Sequence, residues 1–242
     1  MKYFTAIIYL SLILVVSSCG EDNDELPVTL PSTAKITGSV NLYDEGTEKI
    51  GASGMKVSVA GTSISVLTDS EGKFELIDVP FGPTTLVYEK EDYGTYKYFI
   101  SDFKADLFIG EAPSLGKKSK TKSITSGSVI DGTDVKISVV TEGTNTSKRY
   151  MRYFLGTDQT VTNENYSQVT EIYENDANTN PSQHTFTQQE LNDLGFSSGS
   201  QVFVKAYGES FWGNDFEDPD LNKRIFPNLN ENSAQPVMFM VP

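Results

Sequence analysis

Along most of its length the chain alternates apolar and polar residues. "AKITGSVNLYD" sets Ile36, Gly38, Val40 and Leu42 to one side, and "GMKVSVAG" does the same with Met55, Val57 and Val59. "SISVLTD", "GKFELIDVP" and "TTLVYEK" continue the pattern, separated by turns rich in Gly, Asp, Glu and Ser. Successive side chains of an extended strand point to opposite faces, so each segment predicts a strand with one buried face. The pattern resumes in the second half. "DVKISVV" aligns Val135, Ile137 and Val139, "RYMRYFLG" alternates around Arg149 and Arg152, and "QVTEIY", "QVFVKAYGE" and "QPVMFMVP" follow. One short helix is predicted over 188–194, capped by Thr187 and ended by Gly195. The tyrosines of "YEKEDYGTYKYF" (Tyr88, Tyr93, Tyr96 and Tyr98) suit strands. The fold class predicted is all-β: two consecutive antiparallel β-sandwiches, over 35–110 and 125–242. The polar, locally basic stretch 111–124 between them reads as a linker or an edge strand.

The first 34 residues do not share this texture. One positive charge at Lys2 is followed by an apolar run from Tyr3 to Val16, then Ser17, Ser18 and Cys19. A run of about 14 residues is shorter than the roughly 20 that span a bilayer, and the order of parts is that of a secretory signal peptide, 1–18. Val16-Ser17-Ser18-Cys19 resembles the lipobox of bacterial lipoproteins. That resemblance implies an acylated Cys19 as the mature N-terminus, held in outer-membrane lipid. Each buried CH₂ contributes about 0.8 kcal/mol, and stable anchoring needs more than one chain. The acids Glu21, Asp22, Asp24 and Glu25 follow at once, and this cluster resembles a surface-export signal of some Gram-negative bacteria. The lipidated Cys and acidic tether then occupy 19–34. The localisation expected is the outer membrane, lipid-anchored and facing the exterior.

Charge narrows the partners. The chain carries 19 Lys and Arg against 33 Asp and Glu. Without residues 1–18 only Lys2 is lost, leaving 18 basic residues against 33 acidic, a net of −15. Phosphate binding depends on clustered Lys and Arg, so no nucleic-acid partner is expected. Cys19 is the only cysteine, so no intramolecular disulfide can form and packing alone must stabilise the domains.

Family resemblances refine the two halves. In the first, Thr37-Gly38-Ser39-Val40, Ile50-Gly51-Ala52, Thr68-Asp69-Ser70-Glu71-Gly72-Lys73-Phe74-Glu75-Leu76 and Val79-Pro80-Phe81-Gly82 occur in the order found in the carboxypeptidase regulatory-like domain. That family has a transthyretin-like β-sandwich of about seven strands. The hairpin also has a local reason: Asp69 and Ser70 can bond their own backbone, and Gly72 can take a positive φ. In the second half, Phe196-Ser197-Ser198-Gly199-Ser200-Gln201-Val202 is similar in spacing to the approach to the sixth strand of fibronectin type III or immunoglobulin-like domains. The Leu, Pro and Tyr of that motif are replaced.

Little in the chain suits catalysis. His184 is the only histidine, in a strand-like stretch, and no nucleophile elbow or phosphate loop is present. A zinc peptidase needs more histidines than this, so the accessory-domain resemblance implies no peptidase activity, and no enzyme is expected. Binding chemistry concentrates in "ESFWGNDFEDPDLN", after a convincing strand. Phe211, Trp212, Asn214 and Phe216 combine flat apolar faces with hydrogen-bonding groups, which is what a sugar ring needs. Asp215, Asp218 and Asp220 could hold Ca²⁺; no other cofactor is expected. The function expected is a non-catalytic surface protein with accessory glycan binding in a nutrient-uptake assembly, partnered by a glycan or a surface protein. The alternative is an adhesin or structural spacer subunit.

Overall fold

The computed structural model describes residues 32–142 and 147–242. The signal peptide, Cys19 and the acids Glu21, Asp22, Asp24 and Glu25 lie outside the described residues.

In the first half the strands are β1 (Thr33–Ser39), β2 (Asn41–Tyr43), β3 (Lys49–Ile50), β4 (Lys56–Val59), β5 (Ser65–Leu67), β6 (Lys73–Pro80), β7 (Gly82–Glu89), β8 (Tyr96–Phe103), β9 (Leu107–Phe108) and β10 (Ser114–Gly116). These strands form three sheets, β6-β1-β9, β10-β2-β3 and β5-β4-β7-β8. Between them lies one core containing Ile36, Leu42, Met55, Val57, Leu76, Leu86 and Tyr88. The apolar positions of the alternation supply this core. Most pairings are antiparallel as expected; β1–β9 and β2–β10 are short parallel pairs. β10 lies inside the stretch read as a linker or edge strand, and its Leu115 belongs to the first core.

The expected hairpin is present. Asp69 Oδ1 accepts from the amides of Glu71 and Lys73 at 2.8 and 2.9 Å. Gly72 has φ +81°, and a Cβ there would stand 2.3 Å from the Val40 carbonyl oxygen.

The second half contains β11 (Ser123–Asp131), β12 (Asp134–Thr141), β13 (Arg149–Gly156), β14 (Gln168–Val169), β15 (Tyr173–Asn175), β16 (Ser182–Phe186), α1 (Gln188–Asp193), β17 (Gln201–Glu209), β18 (Phe216–Asp218), β19 (Lys223–Ile225) and β20 (Val237–Met240). The Thr187 hydroxyl caps α1 by accepting from the Glu190 amide at 3.1 Å. The sheets are β11-β12-β16 and β14-β13-β17-β20, with β15 also on β13 and a separate β18–β19 hairpin. Val135, Ile137, Met151, Tyr153, Val202 and Val204 fill the space between the sheets. Every residue of β13 is buried. Its outer face is covered by residues from connecting segments: Val161 and Tyr166 before β14, Phe226 and Leu229 after β19. They pack on Phe154 and Tyr207 as a second apolar cluster.

Candidate functional site

β17 ends at Glu209 and hands the chain to the segment carrying the sequence-predicted site. This segment docks on the first sandwich. The Phe211 amide donates to the Glu45 carbonyl at 2.8 Å. Asn214, in the left-handed region at φ 57°, brings its side chain back onto β10. Its Nδ2 donates to the Gly116 carbonyl at 3.0 Å and to Asn228 Oδ1 at 3.1 Å, and its Oδ1 accepts from the Gly116 amide at 2.9 Å. Asn228 completes the clasp: Nδ2 donates to the Trp212 carbonyl at 2.8 Å and the Gly116 carbonyl at 2.9 Å, while Oδ1 accepts from the Gly94 amide at 3.0 Å. Gly116 is required by this closeness, since a Cβ would stand 2.7 Å from the Trp212 carbonyl oxygen. A buried amide is costly unless its donors and acceptors are matched, and both asparagines here are matched.

The other sequence-predicted residues fall on the same junction. Phe216, on β18, meets Tyr96 edge-on at 5.8 Å and Phe99 at 6.2 Å, both on β8. Asp218 is buried and pairs with Lys97 at 2.8 Å. The Lys97 hydrogen bond is the main influence holding its carboxyl below the usual range. Asp215 is bonded to two arginines, Arg152 Nη2 at 3.0 Å and Arg224 Nε at 2.7 Å. Asp220 is exposed. Among the described residues, no group of three or more acidic, His or Cys side chains could hold a metal ion. Trp212 is half-buried. Its ring lies 4.9 Å from that of Tyr43 at 33°, and 5.2 Å from that of Phe211 at 78°. Its Nε1 is buried with no hydrogen-bond partner among the described residues.

What remains open is a cleft of 310 Å³ along this junction, walled by Trp212, Phe211, Tyr96, Arg152, Asp215 and Arg224, with Glu171 at its lip. A charge ladder supports it from below. Arg152 Nε lies 3.3 Å from Glu209 Oε2, and Asp215 joins Arg152 to Arg224. Side-chain exposure rises from 0% at Glu209 to 4% at Arg152, 15% at Asp215 and 43% at Arg224. The ladder therefore runs from the core to solvent. Desolvation pushes the Glu209 carboxyl up to about 8, against the pull of Arg152.

The sequence singled out Trp212, Phe211 and Asp215 of this cleft but not Tyr96, Arg152, Glu171 or Arg224. The alternation of "RYMRYFLG" marked Arg152 only as a strand position, and no local pattern ties it to Asp215, 63 residues on. His184 is elsewhere occupied: its ring stacks on Tyr173 at 3.8 Å and meets Phe186 at 4.4 Å. Burial lowers its pKa.

No family model and no curated protein matches the chain. Solved structures give likenesses. A proposed carbohydrate-binding protein from Bacteroides uniformis aligns over 86% of this chain and 99% of its own, at 13% identity and a TM-score of 0.33. A DUF3823 family protein from Bacteroides ovatus aligns over 87% and 100%, at 12% identity and a TM-score of 0.29. In a cohesin–X-dockerin complex from Acetivibrio cellulolyticus, a chain aligns over 36% of this one at 23% identity and a TM-score of 0.31; the match spans 59% of that chain. No site residue is transferred from any of them.

Proposed function

We propose that this is a non-catalytic, lipid-anchored protein of the outer-membrane surface whose junction cleft binds a saccharide for a nutrient-uptake assembly. The first sandwich acts as a carboxypeptidase regulatory-like module and the second as a fibronectin- or immunoglobulin-like one. The observation that carries the binding reading is the composition of the cleft. Aromatic walls from Trp212, Phe211 and Tyr96 stand beside charged groups able to bond hydroxyls, the combination sugar recognition uses. Asn214 and Phe216 serve the reading indirectly, by fixing the wall that presents Trp212.

The test is glycan-array binding of the chain from residue 20, with two variants. Trp212→Ala should abolish retention. Glu171→Ala, at an exposed position outside the asparagine clasp, should weaken it while the melting temperature stays unchanged. Wild-type protein that binds no glycan would overturn the reading. The spacer alternative would then stand, favoured by the clasp that unites the two sandwiches. The anchor is tested separately: Cys19→Ala should abolish palmitate labelling and release the protein from membranes.

A further inference from the structure

A second cavity adjoins the cleft. It measures 500 Å³ and is lined by Asn163, Asn230 and Asn232, by Lys118 and Lys223, and by Arg224. Arg224 lines both cavities. The partition between them is built from the top of the charge ladder. The guanidinium groups of Arg152 and Arg224 lie 5.0 and 5.7 Å from the centre of the Phe226 ring, and Asp215 bridges the two. Phe226 is buried in the outer apolar cluster, so the partition stands on the covered face of β13. The cleft carries three aromatic walls, Tyr96, Phe211 and Trp212, and the neighbouring cavity is mainly polar. The side chains of Asn163, Asn232 and Lys118 have no hydrogen-bond or ion-pair partner among the described residues. An unpaired amide offers donors and an acceptor together, which suits a hydroxyl group that does both.

Charge says what kind of ligand. The polar cavity sets Lys118, Lys223 and the shared Arg224 against Glu164 and Glu231. The cleft sets Arg152 and Arg224 against Glu171 and Asp215. With the shared Arg224 counted once, the two cavities together carry four cations and four carboxylates, within a chain of net charge −14. A balanced lining gives no net attraction to an acidic polymer, and the field of the whole chain repels one.

We propose that the two cavities are consecutive subsites for one neutral oligosaccharide, which crosses Arg224 from the aromatic cleft into the amide-lined cavity. This rests on the saccharide reading of the cleft and adds the length and charge class of the ligand. Linked subsites make the second contact intramolecular, so affinity climbs with chain length until both are filled.

The experiment uses the mature protein in a non-glycosidic detergent. Its single tryptophan, Trp212, reports occupancy of the cleft by fluorescence. The probes are neutral gluco-, xylo-, manno- and galacto-oligosaccharides of one to six units, and hexagalacturonate as the acidic control. At least one neutral series should tighten by about tenfold or more between two and six units, a gain of about 1.4 kcal/mol, with hexagalacturonate weaker. Lys118→Ala and Asn232→Ala, both at exposed positions, should each weaken the six-unit ligand several-fold more than the two-unit one. Length-independent affinity, equal loss for short and long ligands, or preference for hexagalacturonate would overturn the two-subsite proposal and leave the cleft reading standing. Absence of binding by every series would overturn both.

Discussion

The two sandwiches treat the outer faces of their sheets differently. On β6 of the first, inward Phe74, Leu76 and Val79 alternate with outward residues, and Ile77 is left 60% exposed. On β13 of the second, neither face reaches water. The difference follows from what lies over the sheet: segments carrying Val161, Tyr166, Phe226 and Leu229 form an extra layer on β13. An extra layer forces the strand's polar residues to find partners inside the protein. Arg152 does so through Glu209 and Asp215, and Arg152 and Asp215 become part of the wall of the cleft. The binding candidate thus arises where the sandwich has been thickened.

The sharpest way to break this comparison is to remove a large side chain from each outer face. Phe154→Ala should cost about 3–5 kcal/mol, as core truncations do. Ile77→Ala should shift stability by less than about 0.5 kcal/mol. Chemical denaturation of both variants checks this, and similar losses would mean that the two outer faces are not different in kind.

A second change tests whether the first sandwich depends on local turn chemistry. Gly72→Val should destabilise it by about 1–3 kcal/mol from the positive φ alone, with the overlap on Val40 added. An unchanged melt would mean that this turn is not fixed as described.

The third concerns the buried carboxyl. Glu209 ordinarily titrates near 4.5 and is raised to about 8 in the folded chain. Between those values the folded state keeps a proton that the unfolded state has released. Stability from this group is therefore full below about pH 4.5 and declines as pH rises towards 8, at no more than about 1.4 kcal/mol per pH unit. Glu209→Gln should flatten that decline. Melts across the interval that run parallel for wild type and variant would remove Glu209 as the cause.

The fold was largely legible because alternation is a local property. The segments around Ile36, Val57, Phe74, Ile137 and Val204 each announced a strand, and Thr187 with Gly195 bracketed the helix. The hairpin at Asp69 was legible for the same reason, since its bonds close within four residues. The junction was not. An amide beside a tryptophan suits a sugar, so the local sequence points to Asn214 as a ligand group. Its actual partner, Gly116, is 98 residues away, and no spacing rule reaches that far. Arg152 was obscured by an assumption built into period two, that the polar side of a strand meets water.

The asparagine clasp also imposes an order in time. Gly116 is made 98 residues before Asn214 and 112 before Asn228. All ten strands of the first sandwich precede both asparagines in the chain. In N-to-C synthesis that sandwich can therefore assemble while the groups that will close over β10 do not yet exist. A chain interrupted before residue 228 has Trp212 without the amide that holds its carbonyl, and interruption before 214 leaves Gly116 with neither partner. The cleft therefore cannot be completed until residue 228 has been made, and products that end before it lack a finished site.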